Sequence, residues 1–246
     1  MFRPFLSVII PAFNESEILP ITLIDVDRYL REQEYQYEIL VIDDGSHDDT
    51  PKIVDKFSPL IKKLTLIKNT GNRGKGSAIR IGMLAAKGEL RLVMDPKNSV
   101  PLTEFNKMMP FFKEEKCDIV VGSRRRKGVR MNLGLPVAHR ISESAINLTT
   151  RLIFKSQIKD FLLGFHCFTA EAAEKIFSST KMNKWSFFQE ALILGENMRF
   201  KIQEIAINPV HLLEGKFIVR IYLQTLYETF KIRWWLKRGR YNIINN

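Results

Sequence analysis

Two short apolar runs near the amino terminus end abruptly in polar residues. They are SVIIPA, beginning at Ser7 and followed by FNE, and EILVID, beginning at Glu38 and followed by DGSHDDT. Runs of this length that are rich in β-branched residues and bounded by turn-forming residues are typical of buried parallel strands. Open α/β sheets bind their ligands in a crevice at the carboxyl ends of such strands. The pattern therefore predicts a ligand site formed by the residues that follow these two runs.

Helical patterns alternate with the strands. Apolar residues at helical spacing predict a helix over about residues 20–34, and Pro51 fits the first turn of a second helix. A short strand is expected at Leu64–Lys68, followed by the glycine-rich turn NTGNRGKG and a helix that turns Ile79 and Met83 inward. Strands that alternate with helices predict one α/β domain with a mostly parallel sheet.

A later segment, AHRISESAINLTTRLIF, places four apolar residues on one face of a helix. They are Ile141, Ala145, Leu148 and Leu152. Such a stripe fits either a helix packed in the core of a domain or a helix lying at a membrane surface. Periodicity alone favours the core.

Composition supports a single compact domain. The chain has 246 residues, of which 45% are hydrophobic, and this is enough for a substantial core. Cys117 and Cys167 lack metal-ligand spacing, so neither a disulfide framework nor a zinc site is indicated. The first residues run directly into a core strand, and we therefore expect neither a signal peptide nor a membrane-spanning helix.

Positive charge is concentrated in two segments. RRRKGVR (Arg124–Arg130) and KIRWWLKRGR (Lys231–Arg240) each contain five basic residues and no acidic residue, against a net charge of +11. Such clusters suit polyphosphate, nucleic acid or an anionic membrane, or form a merely solvated surface. Trp234 and Trp235 favour the membrane interface, and no nucleic-acid-binding motif is recognised. We expect peripheral association with the cytoplasmic face of a membrane and no nucleic-acid partner.

The acidic residues that follow the first two strands suit a sugar nucleotide. The carboxylates of Glu15, Asp43 and Asp44 can accept hydrogen bonds from a base and a ribose. Pro11 and Phe13, which precede Glu15 in the same segment, would form an apolar wall for the base. The alternative is that Asp44-Gly45-Ser46 is only a turn with a helix cap.

IPAFNE and VIDDGSHDDT, together with the later NRGKG segment, resemble the start of the family 2 glycosyltransferases. That family has the GT-A fold, a Rossmann-like α/β architecture that binds nucleotide sugars. The likeness extends to about Arg240, and the second half is similar to the polyprenyl-phosphate branch, which includes the dolichyl-phosphate glucosyl- and mannosyltransferases. The resemblance implies a mixed, mostly parallel sheet flanked by helices, with amphipathic helices facing a membrane. It implies a catalytic domain at 1–216 and a basic amphipathic segment at 217–246.

The resemblance also implies a reaction and a set of residues. A hexose would move from UDP-glucose or GDP-mannose to a polyprenyl or dolichyl phosphate, with inversion at the anomeric carbon. The implied donor-binding residues are Pro11, Ala12, Phe13, Glu15, Asp43, Asp44, Arg73, Lys75, Asp95 and Lys97. Those implied for the acceptor phosphate are Arg124, Arg140, Ser144, His166 and Lys216. The implied catalytic residues are Asp95, Arg124, Arg140 and Glu190.

Several polar positions depart from the family pattern. Lys97 replaces the second acid of an Asp-x-Asp motif, which leaves Asp95 as the implied ligand of Mg²⁺ or Mn²⁺. A charged lysine cannot ligate a cation, but it can neutralise a diphosphate directly. His166 stands where the family has lysine, and Phe188 where it has aspartate. These changes leave open a second hypothesis, a weakened or inactive homologue that binds nucleotide or lipid phosphate and acts through a membrane-protein partner.

Overall fold

The computed structural model of the protein describes residues 4–129, 137–210 and 219–241. The strands are β1 (Leu6–Ala12), β2 (Tyr37–Asp43), β3 (Leu64–Lys68), β4 (Leu90–Val93), β5 (Ile119–Ser123), β6 (His166–Thr169) and β7 (Ile202–Ala206). They form one sheet in the order β3-β2-β1-β4-β6-β5-β7. β6 is antiparallel to both of its neighbours, whereas the other pairs are parallel. The prediction of a mixed, mostly parallel sheet is confirmed.

Helices flank the sheet on both faces. They are α1 (Leu19–Arg31), α2 (Thr50–Phe57), α3 (Lys75–Ala85), α4 (Met109–Lys113), α5 (Val137–Phe154), α6 (Ala170–Ser179), α7 (Phe187–Asn197) and α8 (Val219–Lys237), with a 3₁₀ helix at Leu102–Lys107. The helices predicted after the first two strands are confirmed, and Ile79, Met83 and Ala86 are buried. Among the described residues, no helix combines the length and the apolar character that crossing a bilayer requires.

Burial on both faces explains why the first strand has no polar alternation. Val8 and Ile10 of β1 pack into one core together with Leu23 of α1. Ile9 points to the opposite face and packs into a second core that includes Ile79 of α3. A strand between two helical layers has no solvent face and is apolar throughout.

The antiparallel strand β6 brings a distant segment to the ligand-binding edge of the sheet. His166, its first residue, pairs with Val93 at the end of β4 and with Val121 in β5. Since β6 runs against its neighbours, the residues just before His166 lie where the parallel strands end. Residues 160–165 therefore join the loops that follow β1, β2 and β4.

The favoured core alternative for the apolar stripe of α5 is wrong. Ile141, Leu148 and Leu152 are 64%, 54% and 71% exposed, and Ala145 is exposed as well. The opposite face of α5 is buried and largely polar; its buried residues are His139, Ile146, Asn147 and Thr150. Packing thus selects the polar side of this helix for the interior.

Candidate functional site

Two adjoining cavities lie at the carboxyl edge of the sheet. The first has a volume of about 510 Å³ and the second about 310 Å³. Glu15, Lys75, Pro96 and Trp185 line both. A molecule that filled the first cavity would therefore meet a molecule in the second at these four residues.

The first cavity has the predicted apolar wall. Pro11, Ala12 and Phe13, which end β1 and begin its loop, line one side. Asn72 and Gly74 of the glycine-rich turn lie in the same lining. The cavity thus combines an apolar surface with backbone from a turn that leads into a helix, an arrangement that suits a nucleotide with its phosphates at the helix start.

Asp44 ties the end of β2 to the glycine-rich turn. Its Oδ2 accepts a hydrogen bond from the amide of Gly74 at 2.7 Å, and its Oδ1 accepts from Asn69 Nδ2 at 3.0 Å and from the amide of Arg73 at 3.2 Å. Asp44 also lines the first cavity. Asp43 instead accepts from the amide of Ser46 within its own turn and does not line either cavity.

The glycines of this turn allow two protein segments to meet. Gly74 has a φ of +104°, and a Cβ there would collide with the carbonyl oxygen of Asn183. The same oxygen accepts a hydrogen bond from the amide of Gly76 at 2.8 Å. This contact holds Lys184 and Trp185 against the first cavity, which both of them line.

Four charged side chains meet where the cavities join. Glu15 and Lys75 line both cavities, while Asp95 and Lys97 line the second. Burial raises the pKa of Glu15, and the ammonium groups of Lys97 and Lys75 oppose that rise. The predicted donor residues of three separate loops are therefore brought together. Arg73 is exposed and does not line either cavity; its guanidinium donates to Thr70 at 3.2 Å.

The residues at this junction do not fit a divalent cation. Asp95 Oδ1 accepts hydrogen bonds from the amide of Lys97 at 2.9 Å and from Ser99 Oγ at 3.0 Å, which fixes it in a turn. No group of three or more histidine, cysteine or acidic side chains suited to a metal occurs in the described part of the chain. Hard cations require several oxygen ligands, and here the carboxylates of Glu15 and Asp95 share the lining of the second cavity with Lys75 and Lys97.

The second cavity is walled by α5 and α8. His139 and Glu143 project from α5 and Tyr222 from α8, with Leu163 and Gly164 from the segment before β6. His139 Nε2 lies 3.3 Å from Glu143 Oε1, and the rings of His139 and Tyr222 meet edge to face at 5.7 Å. Most of the exposed lining of this cavity is apolar, and Glu143 is a fifth charged residue in it besides the four at the junction with the first cavity.

Arg124 is buried behind the second cavity. Its guanidinium donates to Asp160 at 2.9 and 3.1 Å and to Glu143 at 3.2 Å. Burial alone would raise the pKa of Asp160, but Arg124 and hydrogen bonds from nearby amides hold it at about 2. Arg124 does not line either cavity, so its role with the acceptor phosphate stays a prediction, and its contacts here position Glu143.

The other residues predicted for the acceptor phosphate are dispersed. Arg140 and Ser144 lie on the exposed side of α5, where Ser144 Oγ accepts from Arg125 Nη2 at 3.2 Å. Lys216 lies outside the described residues. Neither Arg140 nor Ser144 lines the two cavities, and the phosphate roles of all three residues remain predictions.

His166 and Phe188, both departures from the family pattern, contact each other. Their rings meet edge to face with centroids 4.7 Å apart. Burial lowers the pKa of His166 to about 4, so the imidazole is neutral at pH 7. Neither residue lines either of these two cavities, and the two changes form one local packing arrangement.

Glu190 supports the site from behind. It is fully buried and accepts hydrogen bonds from the amides of Lys181 and Met182 at 2.9 and 2.8 Å and from Tyr241 Oη at 2.7 Å. Burial raises its pKa. These contacts fix the segment that presents Lys184 to the first cavity, and the predicted catalytic role of Glu190 stays untested.

Sequence reasoning missed several lining residues, namely His139, Glu143, Lys184, Tyr222 and Gln224. His139 and Glu143 are four residues apart and so share a helical face, a signal that the sequence contains. Tyr222 and Gln224 reach the site only because α8 packs across α5 and α7.

The open α/β sheet, with its ligand cavity at the strand ends, defines a GT-A fold. The chain belongs to glycosyl transferase family 2, whose family model matches residues 7–177. The match runs from β1 into α6 and includes the loops after β1, β2, β3 and β4 that line the first cavity, whereas the lining residues Lys184, Trp185 and Gln224 lie beyond it.

Two relatives are dolichyl-phosphate beta-glucosyltransferases. The protein from Dictyostelium discoideum is 35% identical over 219 residues, which are 83% of this chain and 66% of the relative. The human protein is 30% identical over 229 residues, which are 87% of this chain and 69% of the relative. The chain thus spans about two thirds of the length of these relatives.

Solved structures share the fold at low sequence identity. Glucosyl-3-phosphoglycerate synthase from Mycobacterium tuberculosis, in complex with Mn²⁺, UDP and glucosyl-3-phosphoglycerate, superimposes with a TM-score of 0.69 at 18% identity, covering 94% of this chain and 80% of that one. A mannosyltransferase from Pyrobaculum calidifontis in complex with GDP-mannose and Mn²⁺ gives 0.60 at 18% identity, covering 94% and 64%.

Proposed function

We propose that the protein transfers glucose from UDP-glucose to a polyprenyl phosphate such as dolichyl phosphate, at the cytoplasmic face of a membrane. The observation that carries the proposal is the junction of two cavities at Glu15, Lys75, Pro96 and Trp185. The first cavity has the family's donor motifs, and the second has an apolar lining with cations at its inner end. The names of the relatives favour glucose over mannose.

The chemistry follows from the charges at the junction. An oxygen of the acceptor phosphate attacks the anomeric carbon, and the bond from that carbon to the diphosphate oxygen breaks on the opposite side, which inverts the configuration. The attacking oxygen is already anionic and needs no strong base. Lys75 and Lys97 stabilise the charge on the departing diphosphate, and the cavities hold the reactants in line.

The two helices that wall the second cavity support a lipid acceptor. α8 exposes Leu223, Tyr227, Phe230 and Trp234, which follow one another at helical spacing. Its buried residues are mostly polar, with Ile232 as the apolar one. The hydroxyl of the fully buried Thr229 donates to the carbonyl of Thr225 at 2.8 Å and lies 3.4 Å from Gln189 Oε1, while Gln189 donates to Thr150 of α5 at 2.9 Å. Like α5, this helix turns apolar side chains outward and polar side chains inward. That inversion favours an apolar medium, rather than water, at the outer faces.

Basic residues at the end of α8 fit the headgroup region of such a medium. The guanidinium groups of Arg238 and Arg240 lie 5.2 and 4.5 Å from the ring centre of Trp234, and the ammonium of Lys231 lies 4.7 Å from that of Trp235. Indole rings beside cations are typical of a membrane interface with anionic lipids.

The test follows sugar transfer to a short polyprenyl phosphate in detergent micelles, with UDP-glucose and GDP-mannose as separate donors. We expect glucosyl transfer with inversion, detected by the anomeric proton coupling of the product. Lys75→Ala should lower the rate about a hundredfold, since it removes a charge at the leaving group. Lys87→Ala, an exposed change after α3, serves as the control.

Two outcomes would overturn the proposal. Transfer from GDP-mannose alone would show that the donor is GDP-mannose, and the proposed acceptor would stand unchanged. Nucleotide binding without transfer from either donor would instead establish the binding-only homologue.

A further inference from the structure

The turn after β4 holds Lys97 at the junction of the two cavities. Asp95 accepts hydrogen bonds from the amides of Lys97 and Ser99, at 2.9 and 3.4 Å, and from the Ser99 hydroxyl. One carboxylate oxygen of Asp95, the only acid in this motif, therefore accepts the hydrogen bonds that fix the backbone of the turn. Lys97 and Lys75 both line the second cavity, and both interact electrostatically with Glu15.

The charges at the junction balance without a metal ion. Glu15 and Asp95 supply two negative charges, and Lys75 and Lys97 supply two positive charges, while the carboxylate of Glu143 in the same lining is paired with the buried Arg124. A nucleoside diphosphate brings negative charge of its own, which the two ammonium groups can meet as point-charge donors. A divalent cation would instead have to approach two like charges with few free oxygen ligands.

We infer that Lys97 takes the place of a divalent cation at this site, so that the protein binds and uses its nucleotide-sugar donor without metal. The inference rests on the proposed function, since it requires a nucleoside diphosphate in the first cavity. It distinguishes this chain from the synthase and the mannosyltransferase of the same fold, which hold Mn²⁺.

The test is calorimetric titration of the full chain with UDP and, separately, with GDP, in EDTA and in Mn²⁺. For the wild-type protein we expect the dissociation constant of the bound nucleotide to agree within about twofold between the two conditions. Lys97→Asp should weaken binding in EDTA at least tenfold, and Mn²⁺ should restore it. Electron paramagnetic resonance should then detect Mn²⁺ bound to this variant with nucleotide, but not to the wild type.

Three further variants make the result specific to the charge at position 97. Lys97→Arg should keep metal-free binding, whereas Lys97→Met should lose it without acquiring a response to Mn²⁺. Lys62→Asp makes the same charge change at an exposed position of another loop and should behave as the wild type.

The two ways of failing are distinguishable. Wild-type binding that tightens more than tenfold with Mn²⁺ would overturn this inference and leave the proposed function intact. Absence of binding to either nucleotide in both conditions would overturn the proposed function, and this inference with it.

Discussion

At the scale of single residues, His166 has an unusual environment. It is fully buried, and within the described ranges neither ring nitrogen has a partner that meets full hydrogen-bond geometry, although the backbone of Leu163 and Phe165 lies close enough to favour the charged form. Burial disfavours the charged form and lowers the pKa to about 4, against an opposing attraction from Asp160. In the unfolded chain this histidine has a pKa of about 6.5. Between that pH and about 4 the unfolded chain therefore binds a proton that the folded chain does not bind.

We predict that this difference makes stability depend on pH. The free energy of unfolding should fall as the pH is lowered from about 6.5 toward 4, by up to about 3 kcal/mol from His166 alone. Urea denaturation at pH 7 and at pH 4.5 measures the free energy of unfolding at the two pH values. His166→Leu removes the group and should flatten the dependence. His47→Gln, at an exposed position, should keep the wild-type dependence, and equal slopes for all three proteins would contradict the prediction.

At the scale of elements, α5 and α8 are amphipathic in the opposite sense to ordinary surface helices. Each buries polar side chains that contact Gln189 of α7, Thr150 from α5 and Thr229 from α8, and exposes a stripe of apolar ones. When the outer face contacts lipid, an apolar stripe of this kind does not lower the stability of the fold. In water the same stripe is a site of association.

We predict that the stripe of α8 binds membranes. The double variant Tyr227→Ser and Phe230→Ser should weaken binding to vesicles of phosphatidylcholine and phosphatidylserine about tenfold or more, since each aromatic loses burial of roughly 1 kcal/mol or more. Cosedimentation measures the bound fraction. Leu60→Ser, an equally exposed apolar change after α2, is the matched control. Unchanged binding of the double variant would exclude this face as the contact.

At the scale of the whole molecule, the carboxyl-terminal part of the chain braces the donor site. Tyr241 is buried, and its hydroxyl donates to Glu190, which in turn holds the amides of Lys181 and Met182. The boundary between the predicted segments 1–216 and 217–246 lies outside the described residues and stays a prediction. The contacts nevertheless join α8 and Tyr241 to the same core as α7.

We therefore predict that Tyr241→Phe lowers both the stability of the protein and its affinity for nucleotide, although Tyr241 does not line the first cavity. Removal of the hydroxyl leaves a buried carboxylate oxygen without its donor and should lower the free energy of unfolding by about 1–3 kcal/mol. Nucleotide affinity should fall as well, because Lys184 and Trp185 follow the segment that Glu190 fixes. Urea denaturation and calorimetry measure the two effects. Tyr227→Phe, on the exposed face of α8, should change neither.

The sequence by itself determined the fold class, the family and the apolar wall and acidic residues of the first cavity, because these depend on short patterns. A buried strand and the polar loop that ends it are adjacent in the chain, so PAFNE and DDGSHDDT already contain the wall and the acids. The same locality explains why the strand at Leu64–Lys68 was predicted with its observed bounds.

Only the tertiary structure decided the second cavity and the orientation of its helices. Arg124 meets Asp160, 36 residues away, and this pairing rather than the local run of basic residues sets its environment. The stripe of α5 has the same periodicity whether it faces a core or a membrane. In the structure that stripe is exposed and the opposite, polar face of α5 is buried, where Thr150 accepts a hydrogen bond from Gln189 of α7 at 2.9 Å. No local sequence pattern encodes the contacts between residues that are distant in the chain. These contacts place each helix face in the interior or at the surface.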